Sequence, residues 1–114
     1  MIYLTGGNGF IGKSIYQFLR KKQLQVHKLQ REYLENLPSV SYEKNYLIHC
    51  AWNGLHSSER KSDELQSSNI RLTKTIIKVL KALKIDKVIA FGSQAEYGIV
   101  NKNIKETFPL KPLE

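Results

Sequence analysis

The glycines of the segment Thr5–Gly12 (TGGNGFIG) constrain the fold of this chain more than any other feature of its sequence. They follow Ile2–Thr5, a short run of β-branched, aromatic and aliphatic residues that is typical of a strand. After them, apolar residues recur at helical spacing, namely Ile11, Ile15, Phe18 and Leu19. The sequence therefore predicts a strand, a glycine turn and an amphipathic helix over about residues 10–22.

A strand that passes through glycines into a helix can hold an anion at the turn. Gly6 permits the tight turn out of the strand, Gly9 lets backbone amides approach a pyrophosphate, and Gly12 lets the helix pack close to the sheet. The N–H groups of the first helical turn are then available to the anion. The residues alone leave one alternative open, a glycine-rich turn without any ligand.

Strand-like and helix-like segments alternate along the chain, which predicts a parallel sheet with crossover helices. The further predicted elements are strands over 24–29, 46–51 and 87–91, a candidate short strand near 40–42, and a helix over 70–83. Because the segment 46–51 is apolar, we expect it to be buried on both faces. We expect one α/β domain over residues 1–114, a Rossmann-like doubly wound parallel sheet truncated after about five strands.

The helix predicted over 70–83 has an apolar stripe and a basic stripe. The apolar stripe comprises Leu72, Ile76, Val79, Leu80 and Leu83, and the basic one Arg71, Lys74, Lys78 and Lys81. The polar segment 53–68 is expected to begin as a loop and to turn helical near Asp63. The apolar stripe of the helix is therefore expected to face the sheet.

Size and composition fit a single globular domain. Of the 114 residues, 41% are apolar and 25% are charged, and no apolar run approaches the roughly 20 residues that cross a bilayer. Met1 leads directly into the first strand, without the features of a signal peptide. The single cysteine, Cys50, excludes an internal disulfide and fits a reducing compartment. We therefore expect a cytoplasmic protein without membrane contact.

The charge balance is strongly basic, with 18 Lys and Arg against 10 Asp and Glu and a net charge of +8. Such an excess raises the alternative of a nucleic-acid-binding protein. The basic residues are, however, dispersed through helix-like stretches, and no zinc-site or RNA-binding signature accompanies them. A phosphate-rich cofactor or substrate explains part of the same excess of positive charge, so a nucleic-acid partner is not expected. A metal site is not expected either, because the zinc-site signature does not occur.

The TGGNGFIG segment resembles the cofactor motif of extended short-chain dehydrogenases/reductases, the NAD(P)-dependent nucleotide-sugar epimerase/dehydratase type. The resemblance implies a dinucleotide cofactor, and a nucleotide-sugar substrate in the full-length enzyme. It also implies cofactor contacts along the loop, from Gly6, Gly7, Asn8, Gly9, Phe10, Ile11 and Gly12. A dinucleotide-binding or regulatory module without catalysis is the alternative that keeps the same fold.

In this family an acidic residue at the end of the second strand often binds the adenosine ribose and implies NAD. In this chain Gln30 and Arg31 occupy that place, and both are predicted cofactor contacts. Arg31 is able to pair with a 2′-phosphate through two parallel hydrogen bonds, so the sequence favours NADP over NAD. The alternative is that Arg31 is an ordinary surface residue.

Two later segments also resemble the family and add cofactor-site residues. Leu47–Trp52 resembles the family's hydrophobic-His-x-Ala strand, which places His49 and Ala51 along the dinucleotide. Read without the family, His49 is a core histidine with its hydrogen bond satisfied, and Cys50 is a buried small hydrophobe. Asn69 matches an asparagine before a helix of the family, where we expect it to cap the helix and to link to the catalytic region.

The segment Val88–Gly98 resembles the family's turn with the catalytic serine. The resemblance implies that Ser93 binds the reacting hydroxyl or carbonyl of the substrate, with Gln94 and Tyr97 in the sugar pocket. The alternative is that Ser93 is only a turn residue at the end of a strand. Dehydratases carry an Asp-Glu pair where this chain has Gln94 and Ala95, so epimerisation or ketone reduction is favoured.

The catalytic Tyr-x-x-x-Lys pair of the family does not occur, since no tyrosine of the chain has a lysine four places on. Glu106–Pro112 resembles the stretch that precedes that pair in the family. Because the lysine makes the tyrosine a usable base, we expect this chain to be inactive alone. The last strand and the helix over 70–83 would also lack neighbours, which predicts self-association into a homo-oligomer.

Overall fold

The computed structural model describes residues 1–31, 37, 42–54, 56, 59 and 61–112. Within them it has four strands, two α-helices and one short 3-10 helix. In chain order the main elements are β1 (Ile2–Thr5), α1 (Phe10–Lys21), β2 (Val26–Leu29), β3 (Tyr46–His49), α2 (Asp63–Ala82) and β4 (Lys87–Ala90). The 3-10 helix, Gln94–Tyr97, follows β4. This is the predicted α/β, Rossmann-like architecture.

The four strands form one parallel sheet in the order β2-β1-β3-β4. Ile2 at the start of β1 is paired with Val26 of β2 on one side and with Tyr46 of β3 on the other. The chain therefore passes from β1 to β2 on one side of it, and then crosses to β3 on the other side of β1. In open α/β sheets such a switch point opens a crevice at the carboxyl ends of the strands.

The core lies between the sheet and the apolar stripe of α2. Its buried members are Tyr3, Leu29, Leu47, Leu72, Ile76, Val79 and Leu83. The predicted basic stripe, Arg71, Lys74, Lys78 and Lys81, is exposed. Hydrophobic periodicity therefore oriented this helix correctly. No helix in the described part of the chain is long and apolar enough to cross a bilayer.

α2 is one continuous helix that joins the segment expected to turn helical near Asp63 to the helix expected over 70–83. The helix begins at Asp63, and Ser62 is its N-cap, with the Ser62 side chain accepting a hydrogen bond from the N–H of Leu65. Asn69 is therefore not a cap but an interior residue of the helix, and it is buried. The serine with two acidic residues after it, Asp63 and Glu64, is the stronger start signal because all three favour the positive end of a helix.

β1 has its predicted bounds, whereas β2, β3 and β4 are each one or two residues shorter than predicted. The third strand covers Tyr46–His49, and the exposed Tyr46 side chain corrects the expectation of burial on both faces. Tyr46 is the first residue of its strand, at the amino-terminal edge of the sheet, and 37% of its surface is exposed. Of the candidate strand near 40–42, residues 40 and 41 lie outside the described residues, and Tyr42 is not in a strand.

Candidate functional site

A cleft of about 510 Å³ opens at the carboxyl ends of β1, β2 and β3. Its volume falls in the range of ordinary cofactor and ligand sites. Three chain segments line it together with one residue of α2: Thr5, Gly6, Gly7, Asn8, Gly9, Phe10, Ile11 and Gly12; Lys28, Leu29, Gln30 and Arg31; Cys50, Ala51 and Trp52; and Leu72. The glycine loop therefore forms one wall of the cleft, and the ends of β2 and β3 form the others.

Backbone geometry requires glycine at two positions of this loop. Gly6 has φ +67°, and a Cβ there would lie 2.7 Å from the carbonyl carbon of Cys50. A Cβ on Gly12 would collide with the carbonyl oxygen of Gly6. The loop is thus pressed against the end of β3 on one side and against the start of α1 on the other, which leaves no room for side chains.

The amino-terminal end of α1 faces this cleft without a side-chain cap. Its N-cap is Gly9, and its first turn contains no acidic residue. The first N–H groups of an α-helix have no partners within the helix, and the helix dipole makes this end positive. α2 differs, since Ser62 caps it and two carboxylates lie in its first turn. The start of α1 is therefore arranged to attract an anion.

Two cations line the cleft near the end of β2. Lys28 donates a hydrogen bond of 3.1 Å from Nζ to Oδ1 of Asn8 in the glycine loop. Arg31 donates one of 3.0 Å from Nη2 to Oδ1 of Asn53, after β3. Among the described residues that line the cleft there is no carboxylate. This side of the cleft is therefore positively charged at neutral pH.

Asn53 connects Arg31 to α2. Its Nδ2 donates a hydrogen bond of 3.2 Å to Ser68 Oγ, and its backbone N–H donates one of 3.0 Å to Asn69 Oδ1. Asn69 Nδ2 donates in return to the carbonyl oxygen of Asn53, also at 3.0 Å. A buried amide of the helix thereby holds the loop that carries Ala51 and Trp52 along the cleft.

His49 lies at the end of β3, behind the cleft. Its Nδ1 and Thr5 Oγ1 are 2.6 Å apart in a hydrogen bond whose direction depends on the imidazole tautomer. Burial lowers the pKa of His49, because desolvation disfavours its charged form. At neutral pH the imidazole is therefore uncharged and joins the ends of β1 and β3. The expectation of a histidine with a satisfied hydrogen bond is confirmed.

Cys50 is half-buried, and it lines the cleft. The expectation of a buried small hydrophobe is therefore wrong, because Cys50 follows the last residue of β3, where the strand leaves the sheet. Burial raises the pKa of the thiol by desolvation. At neutral pH this side chain is thus an uncharged wall of the cleft.

Ser93 lies after β4 and caps the 3-10 helix. Its Oγ accepts a hydrogen bond of 3.2 Å from the N–H of Ala95, and its own N–H donates one of 2.9 Å to Glu96 Oε1. Ser93, Gln94 and Tyr97 are not among the residues that line the glycine-loop cleft. Gln94 and Tyr97 instead border a shallower depression with residues 100 and 102–104.

The structure thus divides the residues predicted from the sequence into three groups. The seven loop residues, Gln30, Arg31 and Ala51 line one cleft. His49 and Asn69 lie behind its walls, where they hold Thr5 and Asn53. Ser93, Gln94 and Tyr97 form a separate turn.

Sequence reasoning missed six cleft residues, namely Thr5, Lys28, Leu29, Cys50, Trp52 and Leu72. It also missed Asn53, which holds Arg31. A signal for Lys28 was present, because side chains two apart in a strand share a face and Lys28 lies two residues before Gln30. Asn53 and Leu72 gave no such signal, since both are placed by the packing of α2.

Comparisons with known proteins agree with this fold. A family model described as "NAD dependent epimerase/dehydratase family" matches residues 2–114. No curated protein matches the sequence. A solved structure with a similar fold, "MoeE5 in complex with UDP-glucose and NAD", has a TM-score of 0.75 and 18% sequence identity. The similarity covers 98% of this chain and 42% of that one, so the chain spans less than half of that protein's length.

Proposed function

This chain belongs to the NAD dependent epimerase/dehydratase family, and we propose that it is the dinucleotide-binding part of a nucleotide-sugar epimerase or reductase. One observation carries the proposal. The uncapped start of α1, the Gly6–Gly12 turn and two cations converge on one cleft at the switch point of the sheet. That combination suits an elongated ligand with a pyrophosphate at its centre.

The residues of this chain bind and orient the dinucleotide. The first-turn N–H groups of α1 and the loop from Gly6 to Gly9 hold the pyrophosphate. Gln30 and Arg31 hold the adenosine end beside β2, while Ala51 and Trp52 border the other end beside β3. When bound, a nicotinamide accepts or returns the hydride that an epimerase or reductase moves at a sugar carbon.

NADP is the form of the cofactor that we favour. Arg31 lies at the end of β2 with its guanidinium held by Asn53, and none of the lining residues that the structure describes is acidic. A second phosphate on the adenosine ribose would meet positive charge there, whereas the described lining residues offer the hydroxyls of NAD no carboxylate. The family description names NAD, and the similar MoeE5 structure was solved with NAD, so NAD is the alternative that direct titration decides.

For the substrate side we propose that Ser93 contacts the reacting group of a nucleotide sugar, with Gln94 and Tyr97 nearby. MoeE5, whose fold is similar, was solved with UDP-glucose, which supports a nucleotide-sugar substrate. Gln94 and Ala95 carry no acid or base for elimination of water, so epimerisation or ketone reduction is preferred to dehydration. Ser93 Oγ accepts a hydrogen bond from the N–H of Ala95, and the hydroxyl can donate its own proton to substrate while it keeps that bond.

The 114-residue chain is proposed to bind its cofactor without turnover. No tyrosine in it has a lysine four places on, so the family's usual proton acceptor does not occur. Isothermal titration calorimetry with NAD and NADP tests binding, and chromatographic analysis of the nucleotide sugars formed from UDP-glucose tests turnover, because an epimerase leaves no net reduced nicotinamide. Binding of either dinucleotide in the micromolar to millimolar range without turnover is the expected result.

Four measurements separate this proposal from its alternatives. Arg31→Ala is expected to weaken the binding of NADP more than the binding of NAD. Absence of binding to both dinucleotides, together with salt-sensitive DNA binding, would replace the proposal with a nucleic-acid-binding function. Turnover of UDP-glucose by the purified chain would contradict the proposal that the chain is inactive alone. A dinucleotide-binding regulatory module would bind the cofactor equally well but would not bind any nucleotide sugar when added with it.

A further inference from the structure

We propose that the amino-terminal edge of the sheet is a docking surface for an anionic lipid bilayer. This edge lies opposite the glycine-loop cleft, so its role is independent of the proposed function. The sequence predicted no membrane contact, because it has no segment long and apolar enough to span a bilayer. Docking on the surface of a bilayer needs no such segment, only basic and apolar side chains on one side of the molecule.

The strands and helices that form this edge are fixed by the register of the sheet. Ile2 of β1 is paired with Val26 of β2 and with Tyr46 of β3, and Tyr46 is paired with Lys87 of β4, so all four strands begin here. Four residues separate the end of α1 from β2, and four separate the end of α2 from β4. Both helices therefore end beside the starts of the strands.

Seven basic side chains that are dispersed in the sequence come together at this edge, and all seven are exposed. They belong to the end of α1, the residue pair before β3, the end of α2 and the start of β4: Arg20, Lys21 and Lys22; Lys44; Lys81 and Lys84; and Lys87. The amine of Met1 adds a further positive charge, and it donates a hydrogen bond of 2.7 Å to the carbonyl oxygen of Lys44. Most of the net charge of the chain is thus concentrated at one end.

Carboxylates offset only part of this charge. Among the described residues at the edge they are Glu43 and Asp86, and Asp86 already accepts a hydrogen bond from a backbone N–H. The glutamates outside the described residues are Glu32, Glu35 and Glu114. Even if all three were counted against the edge, seven basic side chains would still outnumber five carboxylates. The positive charge of the edge therefore does not depend on where those three glutamates lie.

Exposed apolar side chains lie among these cations. Phe18 is in the last turn of α1, and Nζ of Lys22 lies 5.8 Å from the centre of its ring. Leu24 follows the same helix, where its N–H donates a hydrogen bond to the carbonyl oxygen of Leu19, and Tyr46 begins β3. Phe18, Leu24 and Tyr46 are all exposed. Such side chains partition into the boundary between headgroups and acyl chains, while neighbouring lysines keep their ammonium groups at the level of the headgroups.

The layout of the cations favours a bilayer over a nucleic acid. α2 packs on the face of the sheet that carries Tyr3 and Leu47. Lys28, which is paired with Leu4 and so faces the other side, lies against Tyr16 of α1. The two helix ends therefore flank the strand starts from opposite faces, and the cations cover an area rather than a line. Lipid headgroups form such a plane of charge, whereas the phosphates of a nucleic acid follow a backbone.

Vesicle sedimentation tests the proposal on the 114-residue chain. The vesicles are phosphatidylcholine with about 30% phosphatidylglycerol, and vesicles of phosphatidylcholine alone are the comparison. The double variant Lys21→Gln, Lys81→Gln removes one charge from the end of each helix. The matched control, Lys13→Gln, Lys61→Gln, removes the same charge near the starts of the same helices, at the opposite edge of the sheet. Circular dichroism checks that both double variants are folded.

We expect the wild type to bind the anionic vesicles at least about tenfold more tightly than the neutral ones. The variant at the helix ends is expected to lose about tenfold in affinity for the anionic vesicles, because each basic residue close to the surface contributes to the attraction. The control is expected to lose less than about threefold. The 12 residues of α1 span about 18 Å, roughly twice the distance over which physiological salt screens a charge.

Three results would overturn the proposal. Equal binding of the wild type to anionic and neutral vesicles would show that the edge does not recognise lipid charge. Equal losses in the two double variants would assign the attraction to net charge instead of this edge. Tighter binding to double-stranded DNA than to the anionic vesicles at the same salt, lost in the helix-end variant, would make the edge a nucleic-acid surface. Failure of the chain to bind NAD and NADP would overturn the proposed function and leave this proposal standing.

Discussion

Asn69 of α2 and Asn53 of the loop after β3 form a reciprocal pair of hydrogen bonds. The Asn69 amide accepts from the backbone N–H of Asn53 at 3.0 Å and donates to the backbone carbonyl of Asn53 at 3.0 Å. Asn69 is only 1% exposed, so no water competes for its side chain. This pair fixes the loop that forms one wall of the cleft.

We expect Asn69→Ala to lower the free energy of unfolding by about 2 kcal/mol, because it leaves the backbone N–H and carbonyl of Asn53 without their partners. Urea unfolding followed by circular dichroism measures the loss. Asn101→Ala, on an exposed bend, is the control and should change stability by less than about 0.5 kcal/mol. Equal effects of the two substitutions would mean that the pair contributes little.

For Gly12→Ala we expect a loss of stability, the opposite of what helix propensity alone predicts. Alanine favours a helix over glycine by about 1 kcal/mol, so an open site would gain stability. Here the added Cβ collides with the Gly6 carbonyl oxygen, and we expect a net loss of about 1–3 kcal/mol. Ser14→Ala, two residues later in the same helix, should be neutral or slightly stabilising. A more stable Gly12→Ala variant would show that the loop has room to move.

The lowered pKa of His49 predicts acid sensitivity. The unfolded chain takes up the proton below the ordinary value of about 6.5, whereas the folded chain takes it up only at lower pH. The stabilisation is therefore complete above about pH 6.5 and is lost as the pH falls through the folded pKa.

We expect His49→Gln to reduce the slope of unfolding free energy against pH over that window, measured by urea unfolding. His56→Gln, at an exposed position, is the control. If both variants keep the wild-type slope, the acid sensitivity comes from other groups.

Self-association through β4 is the fourth prediction. This strand is at the edge of the sheet, and Val88, Ile89 and Phe91 are 45%, 57% and 49% exposed. Unpaired edge groups with apolar side chains favour pairing with another chain. We expect the molar mass from light scattering to rise with concentration and Ile89→Lys to suppress the rise. Ile99→Lys is the control, at a residue 80% exposed outside the sheet, and should leave the rise in molar mass with concentration unchanged. A wild-type chain that stays monomeric would contradict this.

The local signals of the sequence were sufficient for the fold and for the glycine loop. Gly6, Gly9 and Gly12 lie between a strand and a helix, and only such a turn explains their spacing. Leu72, Ile76, Val79 and Leu83 recur with helical period, which orients α2 regardless of its neighbours. Such patterns depend on residues close in sequence, so they can be interpreted without a structure.

Only the tertiary structure decided which residues support the cleft. Asn69 looked like a helix cap because its local sequence suits one, yet the earlier start of α2 at Ser62 placed it inside the helix and against Asn53. Lys28 and Asn8 are twenty residues apart, and His49 and Thr5 forty-four, so their contacts depend on the register of β1 with β2 and β3. The register of a strand is set by the packing of the whole sheet, so a short stretch of sequence does not predict it.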